Sequence, residues 1–170
     1  MGIVTDVRLR QPRQDDLVSD RIVVAGIGAG FEGTIGIRVV GPRGRVLGED
    51  SAQSSGGGIG VGDFSARVRV TDPPRPGTRL TVQVFGDNPG LPGEGPSPGF
   101  NLREVEVICF PDSHGFLLYR VESGDTLTAI VKKVKDFTSV TVKQIVAANP
   151  RIEDPDLIIT GWRLRIPIQG

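Results

Sequence analysis

Apolar residues recur at every second position through most of the first 110 residues, and a three- and four-residue spacing then replaces this alternation. A strand places alternate side chains on one face of a sheet, so the first spacing predicts strands. Glycine- and proline-rich segments that favour turns separate the runs. The alternating runs are Ile22/Val24, Ile35/Ile37/Val39, Phe64/Ala66/Val68/Val70, Leu80/Val82/Val84 and Val105/Val107/Cys109.

Two further segments, Val4–Arg10 and Arg45–Gln53, bring the predicted total to about seven short strands. Short strands in this number, with turn signals between them, are typical of an immunoglobulin-like sandwich. We therefore predict an all-β immunoglobulin-like sandwich over residues 1–110. The proline- and glycine-rich stretch Gly86–Gly99 is predicted to be an exposed loop between the last two strands.

Residues 111–116 are polar and turn-rich, which predicts a short linker to a second domain at residues 117–170. In that domain four apolar residues fall on one stripe of a helix, namely Leu127, Ile130, Val131 and Val134. Asp125 precedes them and is predicted to cap the helix by accepting hydrogen bonds from its free N–H groups. Three lysines, Lys132, Lys133 and Lys135, lie off the stripe, where their charge favours the carbonyl end of the helix dipole.

A second helix is predicted at Val142, Ile145 and Val146, with Thr141 as its cap and Asn149-Pro150 as its stop. Short strands are predicted at Leu118–Val121 and Arg163–Ile166, on either side of the helix pair. The second domain is therefore expected to be a small α+β unit with the order β-α-α-β.

Three segments of this domain resemble the lysin-motif (LysM) family: Tyr119-x-Val121-x-x-Gly124-Asp125-Thr126-Leu127, Ala148-Asn149-Pro150-x-Ile152 and Leu164-x-Ile166-Pro167. The family has a β-α-α-β fold and binds N-acetylglucosamine-containing glycans. The resemblance implies a non-catalytic binding protein for peptidoglycan or chitin-like glycan. The family's sugar groove lies between the loop after the first strand and the loop after the second helix. The implied glycan-binding residues are Gly124, Asp125, Thr126, Leu127, Asn149, Pro150, Arg151 and Ile152, with Leu157 and Ile158 as candidate neighbours.

The tryptophan of this domain, Trp162, stands where the family often has glutamine. Two interpretations are open: the indole stacks on a sugar, or it packs against the first domain. In the sandwich, the segments beginning at Ile22, Phe31, Gly62 and Leu80 resemble the immunoglobulin-like domain of bacterial spore-germination and related cell-envelope proteins. That family is non-catalytic, so the resemblance implies a spacer or interaction domain and supplies no site residues.

Charge and residue inventory disfavour several function classes. Lys and Arg total 20, as do Asp and Glu, so the net charge of zero gives no attraction to nucleic acid. No apolar run approaches the roughly 20 residues needed to span a bilayer. The one histidine, His114, lies in the predicted linker, and Cys109 lies on an inward face, so we predict no catalytic residue, no metal site and no cofactor. Gly28-x-Gly30-x-x-Gly33 precedes a strand pattern, which predicts a turn instead of a dinucleotide site.

The start of the chain has no basic patch followed by an apolar stretch, so the sequence as written predicts a cytoplasmic protein. If an export signal was removed, the expected location is the cell envelope. A cytoplasmic location favours an alternative function, in which the LysM domain docks protein subunits. On that alternative the protein is a structural adaptor in an assembly such as the baseplate of a phage-tail-like contractile injection system.

Overall fold

The structure, a computed structural model, describes residues 6–58, 60–86 and 100–169. The chain divides into two compact units. The first comprises Met1–Asp16, Arg21–Pro73 and Arg79–Val107, and the second comprises Leu17–Asp20, Pro74–Thr78 and Ile108–Gly170. Residues 87–99 of the predicted loop lie outside the described residues.

The first half of the chain is built from strands, as the alternation predicts. Within the described ranges they are β1 (Val7–Gln11), β2 (Leu17–Val18), β3 (Arg21–Gly28), β4 (Thr34–Val40), β5 (Val46–Gln53), β6 (Gly62–Arg69), β7 (Thr78–Gly86) and β8 (Phe100–Cys109). They form a three-stranded sheet, β1-β3-β6, and a five-stranded sheet, β2-β8-β7-β4-β5. The two-residue strand β2 was not predicted, because two residues are too few to show a period.

The alternating residues form the core between the sheets. Those that are buried include Ile22, Val24, Ile35, Ile37, Val39, Phe64, Val68, Val70, Leu80, Val82, Val84 and Val107. Antiparallel pairing sets their register, for example Val24 opposite Ala66 and Ile37 opposite Val84. The predicted immunoglobulin-like sandwich is confirmed. A 3-10 turn at Phe31–Gly33 leads directly into β4, so the glycine motif is the turn that the sequence predicts.

The predicted linker at residues 111–116 is wrong in its extent. Strand β9 begins at Ser113 and runs to Arg120, so only residues 110–112 separate it from β8. The Ser113 amide donates to the Phe110 carbonyl at 3.0 Å, which makes a tight turn. Phe110 is fully buried beside Ile108 and Ala148. The first residues of β9 are polar and show no alternation, so the sequence did not predict this part of the strand. It is a strand because it pairs with β10, far along the chain.

The second unit has the predicted β-α-α-β order: β9 (Ser113–Arg120), α1 (Leu127–Val134), α2 (Val142–Ala148) and β10 (Arg163–Gln169). β9 and β10 are antiparallel, with Tyr119 opposite Leu164 and Leu117 opposite Ile166. The larger cluster of buried side chains described in this unit comprises Val121, Leu127, Ile130, Val134, Val140, Ile145, Ile152, Leu164 and Ile166. Helix α2 begins with the predicted cap, because Thr141 and Gln144 form a reciprocal capping box.

Candidate functional site

The loop between β9 and α1 is held by Asp125, whose side chain is only 4% exposed. One carboxylate oxygen, Oδ2, accepts hydrogen bonds from the Tyr119 hydroxyl and from the Glu122 amide, both at 2.8 Å. The other oxygen, Oδ1, accepts from Lys133 Nζ at 2.8 Å. Lys133 also reaches Glu122 and the Tyr119 hydroxyl, each at 3.2 Å. The loop is therefore tied to both the strand before it and the helix after it.

The charges in this network shift each other's titration. The hydrogen bond from Lys133 and the one from the Glu122 amide lower the pKa of Asp125 to about 2. Asp125, in turn, raises the pKa of Lys133 above its ordinary value. Burial is the main cause that raises the pKa of Tyr119. The carboxylate and the ammonium therefore both stay charged across the neutral range, and the tie persists there.

The predicted role of Asp125 as helix cap is wrong. The hydroxyl of Thr126, the next residue, accepts from the Ala129 amide at 3.1 Å and caps α1. Both residue types are good caps, so the sequence did not separate them. Lys133, which the sequence placed on an exposed face of α1, is the residue that sequence reasoning missed. Its pairing with Asp125 has no local spacing signal, since eight residues separate the two.

The loop after α2 is held by Asn149, a buried residue that ends the helix as predicted. Its Nδ2 donates to the carbonyls of Ile145 and Arg165, both at 2.7 Å. Its Oδ1 accepts from the Arg165 amide at 2.8 Å. The side chain thus binds the end of α2 to the middle of β10, and these contacts use both groups of the amide. Asn149 shapes the loop from inside instead of presenting its amide to a ligand.

Besides Asp125 and Asn149, which hold the two loops, the eight candidate residues comprise two that are buried and four that are exposed. Leu127 and Ile152 are buried in the same core cluster, so both loops rest on one apolar base. The exposed candidates of the two loops are Gly124, Thr126, Pro150 and Arg151. Gly124 has φ +83°, and a side-chain carbon built on it would meet nothing within 4 Å. A glycine with positive φ in open space leaves the backbone accessible at this turn.

The tryptophan of the second unit packs within that unit. Trp162 is half-buried against the core cluster, and its amide donates to the Ile159 carbonyl at 3.0 Å. The Arg151 guanidinium lies 4.1 Å from the centre of the indole ring. This is a close cation–π contact, in which the guanidinium covers one face of the indole ring. The sequence named Arg151 only through the family groove and gave no signal of this stacking.

Other reactive residues are set apart from the two loops. Cys109 is buried, and burial raises the pKa of its thiol to about 12, so it is a core thiol. His114 lies exposed on β9. Among the described residues no group of three or more His, Cys, Asp or Glu side chains is arranged to hold a metal ion. Within those same ranges, neither helix has the length and apolarity that crossing a bilayer requires.

Comparison with known proteins agrees with the two resemblances. Residues 6–90 match the family model Gmad2, the immunoglobulin-like domain of bacterial spore germination, and residues 119–167 match the LysM domain. Both families are binding or immunoglobulin-like modules without catalytic activity. No curated protein matches this chain significantly.

Among solved structures, a β-glucuronidase of Bifidobacterium dentium, complexed with coumarin-3-O-glucuronide, aligns with 69% of this chain at 14% identity and a TM-score of 0.37. The chain spans only 18% of that enzyme's length, and a likeness at this TM-score carries no functional conclusion. The Gmad2 match covers half of the chain. The chain therefore belongs to the Gmad2 family of bacterial spore-germination immunoglobulin-like domains, and it carries a LysM domain, a glycan-binding type of module, at residues 119–167.

Proposed function

We propose that this protein is a non-catalytic binding protein whose LysM domain recognises N-acetylglucosamine-containing glycan of the peptidoglycan or chitin type. The sandwich serves as a spacer or as a second interaction surface. The observation that carries the proposal is the pair of anchored loops. The side chains of Asp125 and Asn149 form their hydrogen bonds within the domain. The neighbouring loop residues stay exposed, namely Gly124, Thr126, Pro150 and Arg151.

Anchored loops favour binding because a ligand does not have to order them first. Each flexible side chain that becomes ordered on binding costs about 0.5–1.5 kcal/mol of binding free energy. Both loops are already ordered in the folded protein, because three hydrogen bonds hold Asp125 and three hold Asn149. An acetamido group needs one donor and one acceptor, and backbone groups at the exposed turn of Gly124 supply this chemistry.

The test is a titration of the full chain with an N-acetylglucosamine hexamer, followed by heteronuclear NMR. We expect shifts in the amides of residues 123–127 and of Arg151 and Ile152 that saturate with a weak affinity, because a shallow groove buries little area. Cellohexaose, which lacks the acetamido groups, is the matched control ligand. An Arg151→Ala variant should lower the affinity several-fold, whereas Arg67→Ala, an exposed arginine of the first unit, should leave it unchanged.

A second candidate function is that of a structural adaptor that binds protein instead of glycan. Exposed apolar side chains on β9, Phe116 and Leu118, favour it, since a surface of this kind is typical of protein contacts. A contractile injection baseplate is one assembly that would use such an adaptor. Purification of the tagged protein from its native host decides between the two: co-purifying structural subunits support the adaptor, and retention on peptidoglycan supports the glycan-binding module.

The cellular location separates the candidates as well. Peptidoglycan recognition requires the protein to reach the cell envelope, while the adaptor functions in the cytoplasm. Fractionation of native cells with an antibody against the sandwich gives the location directly. Recovery in the wall fraction supports the proposed function, and recovery in the cytosolic fraction alone supports the adaptor.

A further inference from the structure

The outer face of the two-stranded sheet β9–β10 carries exposed apolar side chains. Phe116 and Leu118 are two residues apart on β9, so they project from the same face, and they are 46% and 59% exposed. Phe137, 68% exposed, lies at the same end of the sheet. The neighbouring Thr138 hydroxyl donates to the Pro167 carbonyl at 2.8 Å, and Pro167 pairs with Phe116. We call Phe116 and Leu118 the sheet-face patch; together they expose roughly 200 Å² of apolar surface.

A pair of arginines borders this patch. Arg120 and Arg163 lie directly opposite each other in the ladder, on the same face as Leu118. Like charges in that position repel and destabilise a sheet. Neither arginine forms an ion pair with any described residue. The face therefore combines apolar surface with uncompensated positive charge, which suits a partner that is both acidic and apolar.

The chain itself carries a segment with the complementary character, residues 153–159. Three carboxylates, those of Glu153, Asp154 and Asp156, form no ion pair with the described residues. Leu157 and Ile159 follow them and are 62% and 51% exposed. We call this segment the acidic turn.

The acidic turn has a defined shape before any contact is made. The Asp156 amide donates to Asp154 Oδ1 at 2.9 Å, and the Leu157 amide donates to the Asp154 carbonyl at 3.0 Å. The local hydrogen bonds therefore hold Leu157 close to the carboxylates. Because the turn is already ordered, a contact through it costs little conformational entropy.

We propose that the sheet-face patch of one copy binds the acidic turn of a second copy, head to tail. The carboxylates of the turn would meet Arg120 and Arg163, and Leu157 would pack on Leu118. A symmetric contact between two sheet-face patches is disfavoured because it brings the arginine pairs of both copies together. A head-to-tail contact leaves one surface of each kind open, so it extends into rings or chains. The proposal stands independently of glycan binding.

The small area involved makes this a weak contact that forms at high protein concentration. Sedimentation velocity of the full chain, without glycan, tests it over a range up to about 1 mM. We expect the weight-average mass to rise with concentration beyond that of a dimer and to fall again in about 1 M salt, which screens exposed charges. Val46→Asp, at an exposed apolar residue of the first unit, is the matched control and should assemble like the unmodified chain.

Two variants and their mixture identify the partner as a second copy. Leu118→Asp removes the patch but keeps the turn, and Leu157→Asp removes the turn but keeps the patch. Each alone should remain monomeric. An equimolar mixture should form a dimer that grows no further, because each mixed pair has one intact patch and one intact turn. Circular dichroism and thermal unfolding verify that both variants fold, and Arg163→Glu replaces Leu118→Asp if that variant does not.

Three results would overturn the proposal. The unmodified chain could stay monomeric at about 1 mM, which is well above the concentration that a weak specific contact needs. Both variants could assemble as the unmodified chain does. The mixture of the two variants could remain monomeric while the unmodified chain associates, which would mean that the patch and the turn do not bind each other.

Discussion

Lys133 Nζ lies 2.8 Å from Asp125 Oδ1, and this ion pair joins helix α1 to the loop that precedes it. The two partners differ in exposure, since the Asp125 side chain is 4% exposed and the Lys133 side chain 47%. A half-exposed lysine thus supplies the positive charge that an almost buried carboxylate needs. The position of the exposed turn at Gly124 follows from this pair, because Asp125 also holds the Glu122 amide and the Tyr119 hydroxyl.

Removal of the lysine should loosen the loop without unfolding the domain. Lys133→Ala leaves Asp125 with its hydrogen bonds from Tyr119 and Glu122 but without its cation. We expect a lower free energy of unfolding, measured with urea, because the almost buried carboxylate loses its cation. Carbon-13 NMR of the carboxyl should show the pKa of Asp125 rising from about 2 towards its ordinary value. Lys132→Ala is the control, and equal effects of the two variants would contradict the assigned pairing.

The same pair predicts an acid-sensitive component of stability. The pKa of Asp125 is about 2 in the folded protein and about 3.9 in an unfolded chain, so its contribution is complete above pH 4. It is lost as the pH falls from about 4 through 2. The unfolded chain has the higher carboxyl pKa and binds the proton first, so protonation stabilises the unfolded chain relative to the folded protein. Urea unfolding at pH 2–7 should show this decline, of no more than about 2 kcal/mol. An Asp125→Asn variant should show a smaller decline, and an unchanged slope would refute the assignment.

Asn149 should prove to be a structural residue. Asn149→Ala removes three hydrogen bonds and leaves the Arg165 amide and carbonyl without their partner, so we expect a loss of about 3 kcal/mol in stability. Pro150→Ala, at the exposed neighbour, should cost much less. Differential scanning calorimetry of both variants makes the comparison. If Asn149→Ala abolished glycan binding while the unfolding temperature stayed the same, the side chain would have to contact the ligand directly.

The stacking of Arg151 on Trp162 can be followed by fluorescence, because the chain has one tryptophan. Arg151→Ala should shift the emission to longer wavelength as water gains access to the indole. Its effect on stability should be small, about 0.5–1 kcal/mol, as for other exposed cation–π contacts. Arg163→Ala is the control and should leave the emission unchanged. An identical spectrum for Arg151→Ala and the unmodified protein would show that the guanidinium does not cover the ring in solution.

Cys109 should be inert in the folded protein. Its thiol is buried, and its pKa of about 12 leaves almost no thiolate at neutral pH. A colorimetric thiol reagent at pH 8 should react slowly with the native chain and completely in denaturant. Fast reaction in the native state would place the thiol at the surface and reopen its assignment as a core residue.

The sequence predicted those elements whose pattern is local. Alternation predicted the strands that bury Ile37 and Val82, and the spacing of Leu127 and Ile130 predicted α1, because each period shows within a few residues. The start of β9 at Ser113 could not be read in this way, since its strand character depends on pairing with Gln169.

For the candidate site as well, the sequence predicted local features but not the contacts between residues that are distant in sequence. The family resemblance named the two loops, but only the structure separates the residues that build the loops from those that the loops expose. Asp125 was predicted to be a helix cap because it directly precedes the apolar stripe of α1, whereas its partner Lys133 lies two turns along the helix. Arg151 and Trp162 are likewise brought together by tertiary packing.

The most direct test of the glycan-binding account is the heteronuclear NMR titration with an N-acetylglucosamine hexamer at millimolar ligand. The account predicts saturable shifts confined to residues 123–127, to Arg151 and Ile152 and to nearby Trp162, with no response to cellohexaose. No shift in these loops at saturating ligand, or equal shifts with cellohexaose, would contradict it.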